Sequence, residues 1–259
     1  MALGRASVNF IRSALFMLCA TLATILIVPC IMLGALFGKK AAYAMVWLYR
    51  RAILFASRWI LGIIPEVRGL ENIPNEPCVL LAKHQSAWET VALQEIVPLG
   101  TYPVFVVKKE LLRFPFIGWG MAALRFISID RKAGRDALAQ VVEQGCDRLK
   151  NGYTIIIFPE GTRVAPGEKK VYQPGGAFLA KKAGCKAVPI AQNVGELWPR
   201  NAFIKRPGKA IISIGPAIDP AGMTGREISR RAEEWIETEM RRLSPHLYPD
   251  ALPPSENPG

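Results

Sequence analysis

The sequence predicts an α/β domain with a mixed, largely parallel sheet flanked by helices, carried behind N-terminal membrane-associated helices. Two observations lead there. From about residue 66, short apolar runs alternate with helical stretches, the pattern of strands joined by crossover helices. Before that point, residues 13–37 hold no charged side chain. At about 1.5 Å per residue, such a helix is long enough to cross roughly 30 Å of hydrocarbon. The chain's 259 residues suffice for one sizeable core plus an anchor.

Taken in order, the chain divides into a membrane anchor with an interfacial helix (1–64), an α/β domain (65–244) and a tail (245–259). Arg5 and Arg12 precede the uncharged stretch and Lys39-Lys40 follow it. The run is longer than the apolar region of a cleaved signal peptide, so it reads as a retained anchor. More Lys and Arg follow it than precede it, with Arg50, Arg51 and Arg58 adding to the pair. That bias puts the remaining chain on the cytoplasmic side of an inner membrane. Pro29 leaves a second reading open, a re-entrant hairpin that never reaches the far side. Residues 41–64 read as another helix, ended by Pro65, with Arg51 and Arg58 on one face and Trp47, Phe55 and Trp59 among its apolar residues. Such a helix either lies on the membrane or packs on the domain.

Strands are expected at 78–82, 103–107, 126–129, 154–158, 187–191 and 210–214, from their short apolar runs. Helices are expected near 88–97, 115–123, 135–150 and 175–183. Thr224 and Glu227 form a capping box that opens a last helix, with Ile228, Ala232, Trp235, Ile236 and Leu243 as its apolar face. The proline-rich stretch after Pro245 has no periodicity and is expected to be disordered.

Composition narrows the function classes. The net charge is +12, from 33 Lys+Arg against 21 Asp+Glu, which suits an anionic partner. No nucleic-acid-binding pattern is present, and an apolar anchor beside basic residues points to anionic lipid instead. Five cysteines without C-x-x-C spacing and only two histidines argue against a disulfide framework, a zinc site or a His-based metal site. No nucleophile elbow and no Walker A loop occur.

In an open α/β sheet, ligands bind beyond the carboxyl ends of the strands. The residues just after the expected strands are Lys83-His84, Asp130-Arg131, Pro159-Glu160-Gly161-Thr162-Arg163 and Gln192-Asn193. If the strands are parallel, one edge collects a histidine, carboxylates and two arginines, a setting for acid–base chemistry on an anionic substrate. His84 is a candidate general base, or a satisfied structural histidine. Glu89 lies five residues on, and reaches His84 only if His84 precedes the helix and Glu89 sits in its first turn. Ser86-Ala87-Trp88-Glu89 is also a capping-box pattern, so Glu89 either orients the imidazole or caps its own helix. Arg131 and Arg163 suit bidentate phosphate binding, or are surface arginines. Gly161 is placed to allow positive φ or close approach of a substrate.

These residues resemble the glycerolipid acyltransferases of the lysophosphatidate type. His84 with an acidic residue nearby is similar to the first motif of that family. Phe126-Ile127-Ser128-Ile129-Asp130-Arg131 resembles the second, Phe158-Pro159-Glu160-Gly161-Thr162-Arg163 the third, and Val188-Pro189-Ile190 the fourth, in the same order. The resemblance covers residues of about 66–216 and implies a largely parallel sheet with helices on both sides. It implies that His84 takes the proton of the acceptor hydroxyl while Glu89 steadies it. It also implies that Arg131 and the segment Glu160, Gly161, Thr162 and Arg163 bind the acceptor phosphate. The donor would be acyl-CoA or acyl carrier protein, the acceptor 1-acylglycerol 3-phosphate and the product phosphatidate, with no metal, cofactor or covalent acyl-enzyme.

Two departures bear on the substrate. The family usually has Asp where this chain has Glu89, so an Asp here should serve at least as well if the residue orients His84. Gln173 stands where relatives often carry Lys, which leaves open another lysolipid acceptor, such as a lyso-ornithine lipid or a head-group lysophospholipid. A membrane lipid-binding protein without catalysis is the remaining alternative.

Overall fold

The computed structural model describes residues 2–98 and 100–248. A long helix α1 (Ala2–Leu36) turns at Phe37-Gly38 into α2 (Lys39–Ala56), and the two form an antiparallel hairpin. Pro29 lies inside α1 without ending it. At Gly34 a side chain would meet the Ala41 backbone at 3.1 Å, so glycine there lets the two helices approach closely.

A π-helical turn (Ser57–Leu61) extends α2, and Gly62, with φ of 72°, ends it in the left-handed region. The expectation of a helix running to residue 64 is corrected here. Residues Ile63–Arg68 form a strand, β1, with Pro65 inside it. Proline lacks a backbone donor, and β1 tolerates it because it is an edge strand.

The remaining elements follow the expected alternation. They are β2 (Val79–Ala82), α3 (Glu89–Ala92, continued by a 3-10 turn at Leu93–Glu95), β3 (Tyr102–Lys108), α4 (Ile117–Ala123), β4 (Ile127–Ile129), α5 (Arg135–Lys150), β5 (Tyr153–Ile157), α6 (Gly175–Ala183), β6 (Ala187–Gln192), β7 (Gly208–Ile214) and α7 (Gly225–Leu243). The Thr224/Glu227 capping box is formed at the start of α7.

The sheet has seven strands in the order β1-β7-β6-β2-β5-β3-β4. Every neighbouring pair is parallel except β6–β7. The apolar runs are continuous because both faces are covered. In β2, Leu80 and Ala82 pack with Phe16, Ile53 and Trp88 on the hairpin side. Val79 and Leu81 face Val141, Leu179 and Ile228 on the side of α5, α6 and α7.

The hairpin is therefore part of the domain's cover. Phe16 is buried edge-on against Trp198 at 5.1 Å, and the buried Ser13 hydroxyl accepts the Lys205 N–H at 2.8 Å. Further along α1, Val28 and Ile31 pack with Leu124. On α2, Tyr43 donates to the Pro103 carbonyl at 2.6 Å, and Arg50 pairs with Glu95 at 2.6 Å. The outward surface of the hairpin is apolar, with Leu26, Leu33, Leu36, Phe37, Phe55 and Trp59 all exposed.

The start of the expected disordered tail is also corrected. Residues 245–247 form a 3-10 turn, and His246 Nε2 lies 2.9 Å from Glu196. The rest of that stretch, residues 249–259, lies outside the described residues.

Candidate active site

β2, β3, β4, β5 and β6 all run parallel to one another, so their carboxyl ends share one edge. Lys83-His84, Asp130-Arg131 and the turn from Phe158 to Arg163 meet there. Ala82 pairs with Ile190 and Leu81 with Ile157. That register sets His84 beside Phe158, and the two rings stack 3.9 Å apart at 13°.

His84 lies outside α3, and Glu89 is the first residue of that helix. The turn between them folds the carboxylate back, so that Glu89 Oε1 lies 2.6 Å from His84 Nδ1. The same carboxylate accepts the Gln85 N–H at 3.0 Å and the Ser86 N–H at 2.9 Å. The Glu89 carboxylate thus contacts both the imidazole and the free amides ahead of the helix. It is fully buried. With Nδ1 donating to the carboxylate, the neutral ring carries its lone pair on Nε2. Among the described residues Nε2 has no protein partner, and His84 lines a large cavity. Sequence reasoning missed Trp88, whose buried indole N–H donates to Ser57 at 2.9 Å and pins this turn to the end of α2.

The third segment is a tight turn. The Gly161 N–H bonds the Phe158 carbonyl at 2.9 Å, and Gly161 has φ of 69°. The conformation expected of this glycine is therefore present. Arg131 donates to the Gly161 carbonyl, which ties the end of β4 to this turn. Val164 N–H returns to the His84 carbonyl at 2.8 Å. Asp130 accepts the Lys132 N–H and pairs with Lys109, bracing the loop that bears Arg131. The guanidinium of Arg163 has no ion-pair partner among the described residues, and it lines the cavity with Thr162, Lys170 and Gln173.

Glu160 is placed differently from its neighbours. Its side chain is buried; one oxygen lies 2.8 Å from Lys83 Nζ and the other accepts the His84 N–H at 2.7 Å. Both oxygens are thus committed to protein partners, although Glu160 lines the cavity together with Arg131, Thr162 and Arg163. Burial pushes the Glu160 carboxyl up, against the pull of Lys83. The role of Lys83 was not read from the sequence. The available signal was a lysine closing an apolar strand in register with the one that precedes Glu160.

The cavity has a volume of about 1380 Å³. Its polar end holds His84, Arg131, Thr162 and Arg163. The lining also takes in residues of the hairpin and of the segment around α4, among them Met17, Val28, Tyr49, Met121 and Phe126. A histidine paired with a carboxylate, beside arginines and in a cavity with a largely apolar lining, fits an enzyme that acts on an anionic lipid by acid–base chemistry.

Comparison with known proteins agrees. The Acyltransferase family profile matches residues 64–193. Over 199 residues the chain is 44% identical to the 1-acyl-sn-glycerol-3-phosphate acyltransferase of Pseudomonas aeruginosa, spanning 75% of this chain and 76% of the relative. It is 28% identical to the Saccharomyces cerevisiae protein of the same name, over 86% of this chain and 75% of the relative. Among solved structures, the 1-acyl-sn-glycerophosphate (LPA) acyltransferase from Thermotoga maritima superposes with a TM-score of 0.72 at 26% identity, covering 91% of this chain and 96% of the other. The chain belongs to the acyltransferase family that these proteins represent.

Proposed function

We infer that this protein is an O-acyltransferase that acylates the sn-2 hydroxyl of 1-acylglycerol 3-phosphate, giving phosphatidate. The observation that carries this reading is the His84–Glu89 pair at 2.6 Å, set where the cationic and apolar ends of one cavity meet. His84 Nε2 takes the hydroxyl proton while Glu89 stabilises the imidazolium that forms. The freed oxygen attacks the thioester carbonyl of acyl-CoA or acyl carrier protein. The C–S bond then breaks and the thiolate leaves with the proton held by His84. Arg131, Gly161, Thr162 and Arg163 take the acceptor phosphate, with Glu160 holding the turn from beneath. Lys170 adds a charge to the wall that bears Gln173.

The test is purified protein in detergent with lysophosphatidate and radiolabelled acyl-CoA or acyl carrier protein. Head-group lysophospholipid and lyso-ornithine lipid arms run beside it. Transfer to lysophosphatidate should be fastest, and His84→Ala should remove it. Transfer that survives in His84→Ala would exclude the assigned base.

The hairpin is the membrane-binding face of the domain, on the cytoplasmic side of an inner membrane. Ser13, Phe16, Val28 and Ile31 all touch the domain, which favours a hairpin lying within one leaflet over a helix crossing both. Its basic residues Lys40, Arg51 and Arg58 suit anionic head groups. Phe37→Cys in closed vesicles should react with an impermeant maleimide only from the side that bears the domain. Labelling from the opposite side would establish a span.

A further inference from the structure

Behind the reacting face lies a buried ionic chain that the acyl-transfer steps do not use. Lys83 Nζ sits 2.8 Å from Glu160 and 2.8 Å from Glu237 on α7. The Tyr172 hydroxyl donates to the same Glu237 oxygen at 2.9 Å. Lys83 is fully buried, as is Glu160, and Glu237 nearly so. The other oxygen of Glu160 receives the His84 N–H. The Lys83 carbonyl accepts from Gln192 at 3.1 Å and its N–H donates to the Ile190 carbonyl at 2.9 Å, so the backbone on both sides of the lysine is held as well.

We propose that Lys83 and Glu237 are positioning residues for the acyl transfer: Glu237 holds Lys83, Lys83 holds Glu160, and Glu160 fixes the backbone of His84. The proposal rests on the reading of His84 as the base. It gives the last helix, which lies beyond residues 64–193 matched by the family profile, a part in setting catalytic geometry.

A buried ion pair is weak evidence for stability, because desolvation offsets much of the Coulombic attraction. Here one ammonium faces two carboxylates, so the cluster carries an excess negative charge. Burial alone would lower the Lys83 ammonium, but Glu160 and Glu237 together outweigh it and raise it. The other titratable groups facing the cluster are Tyr172, Tyr248 and Glu233 of α7, and Glu233 is itself paired with Lys169 at 2.9 Å. Such an arrangement fixes geometry, since either carboxylate that moves gives up an ion pair with the buried ammonium. Displacing a catalytic group by about 1 Å costs on the order of 100-fold in rate.

The experiment measures kcat and both KM values against pH, using the full-length protein in detergent, for Glu237→Leu, Glu237→Gln and Lys83→Met. His84→Ala is the control, and each assay runs well below the variant's own Tm. Glu237→Leu should lower kcat about 100-fold with the lysophosphatidate KM little changed. Glu237→Gln, whose amide oxygen still accepts from Lys83 and Tyr172, should recover most of that rate.

In Lys83→Met two carboxylates face each other without the cation, and near neutral pH they repel unless they share a proton. The rate of this variant relative to wild type should therefore rise as pH falls. If Glu237→Leu does not fold, Glu237→Gln and the pH trend of Lys83→Met still decide the matter. Unchanged kcat in Glu237→Leu, a loss expressed only in acceptor KM, or a Lys83→Met ratio flat with pH would overturn the proposal. Activity surviving in His84→Ala would instead remove the base assignment on which the proposal rests.

Discussion

Replacing Glu89 by Gln separates its two roles. Glu89 Oε1 lies 2.6 Å from His84 Nδ1 and 3.0 Å from the Gln85 nitrogen, and Oε2 lies 2.9 Å from the Ser86 nitrogen. A glutamine oxygen in the Oε1 position keeps the first two contacts and a further one from the Ser86 N–H at 3.0 Å. Its amide nitrogen then faces the Ser86 N–H, donor against donor. What the substitution removes is the negative charge beside the imidazolium that forms during transfer. For unit charges about 4 Å apart at an effective dielectric constant of 20, that charge contributes about 4 kcal/mol. Such a loss corresponds to roughly 10³-fold in kcat. The cap loses about 1 kcal/mol. Acyl transfer to lysophosphatidate should therefore fall roughly 10³-fold in kcat with little change in KM, while calorimetry in detergent records a drop in Tm of only a few degrees. A normal rate with a lowered Tm would mean that Glu89 is a helix cap and nothing more. Glu89→Asp is expected to be slow as well, on the order of 100-fold. The turn from Gln85 to Trp88 is built around the longer side chain, so the shorter one falls about 1.5 Å short of Nδ1. The expectation from the family pattern, that Asp would serve at least as well, is revised on that ground.

Further outcomes follow from the same geometry. Arg163→Ala should raise the KM for lysophosphatidate and leave that of the acyl donor alone; initial-rate measurements varying each substrate check this. Gly161→Ala meets open space, so its cost is the left-handed φ of 69°, about 1 kcal/mol, with acceptor KM raised because the turn shifts under Arg131. Stability should decline in alkaline solution. Lys83 is held above its ordinary value in the fold by Glu160 and Glu237 against the opposing effect of burial, and burial holds the Tyr172 hydroxyl well above its own. Both contributions are present in full below about pH 10, where the unfolded groups begin to lose protons, and are lost as pH rises beyond it. Chemical denaturation across that range should show the loss, and a smaller one in Tyr172→Phe.

The candidate site was legible in outline because it is made of strand ends. Lys83-His84, Asp130-Arg131 and Glu160 to Arg163 each follow an apolar run, and parallel strands bring such residues to one edge whatever the details of packing. What could not be read locally was direction. The Glu160 side chain turns to Lys83 and to the His84 N–H, contacts that bind two strand ends together. Glu237 was invisible as a partner because 154 residues separate it from Lys83. It sits at the margin of the apolar face of α7, next to Ile236 and three residues from Met240, where it reads as ordinary helix surface.

By itself the sequence determined the alternation of strands and helices, the start of α7 at its capping box, and the chemistry gathered at one sheet edge. Each of these depends on residues a few positions apart, where burial on both faces and backbone hydrogen bonding leave little choice. The tertiary structure alone decided that residues 63–68 add an edge strand through Pro65 and that β7 pairs with β6 in the opposite direction. It also decided that the N-terminal hairpin roofs the cavity and that α7 reaches the lysine beside His84. Those outcomes depend on which distant apolar and charged surfaces meet, and a local pattern does not encode that choice.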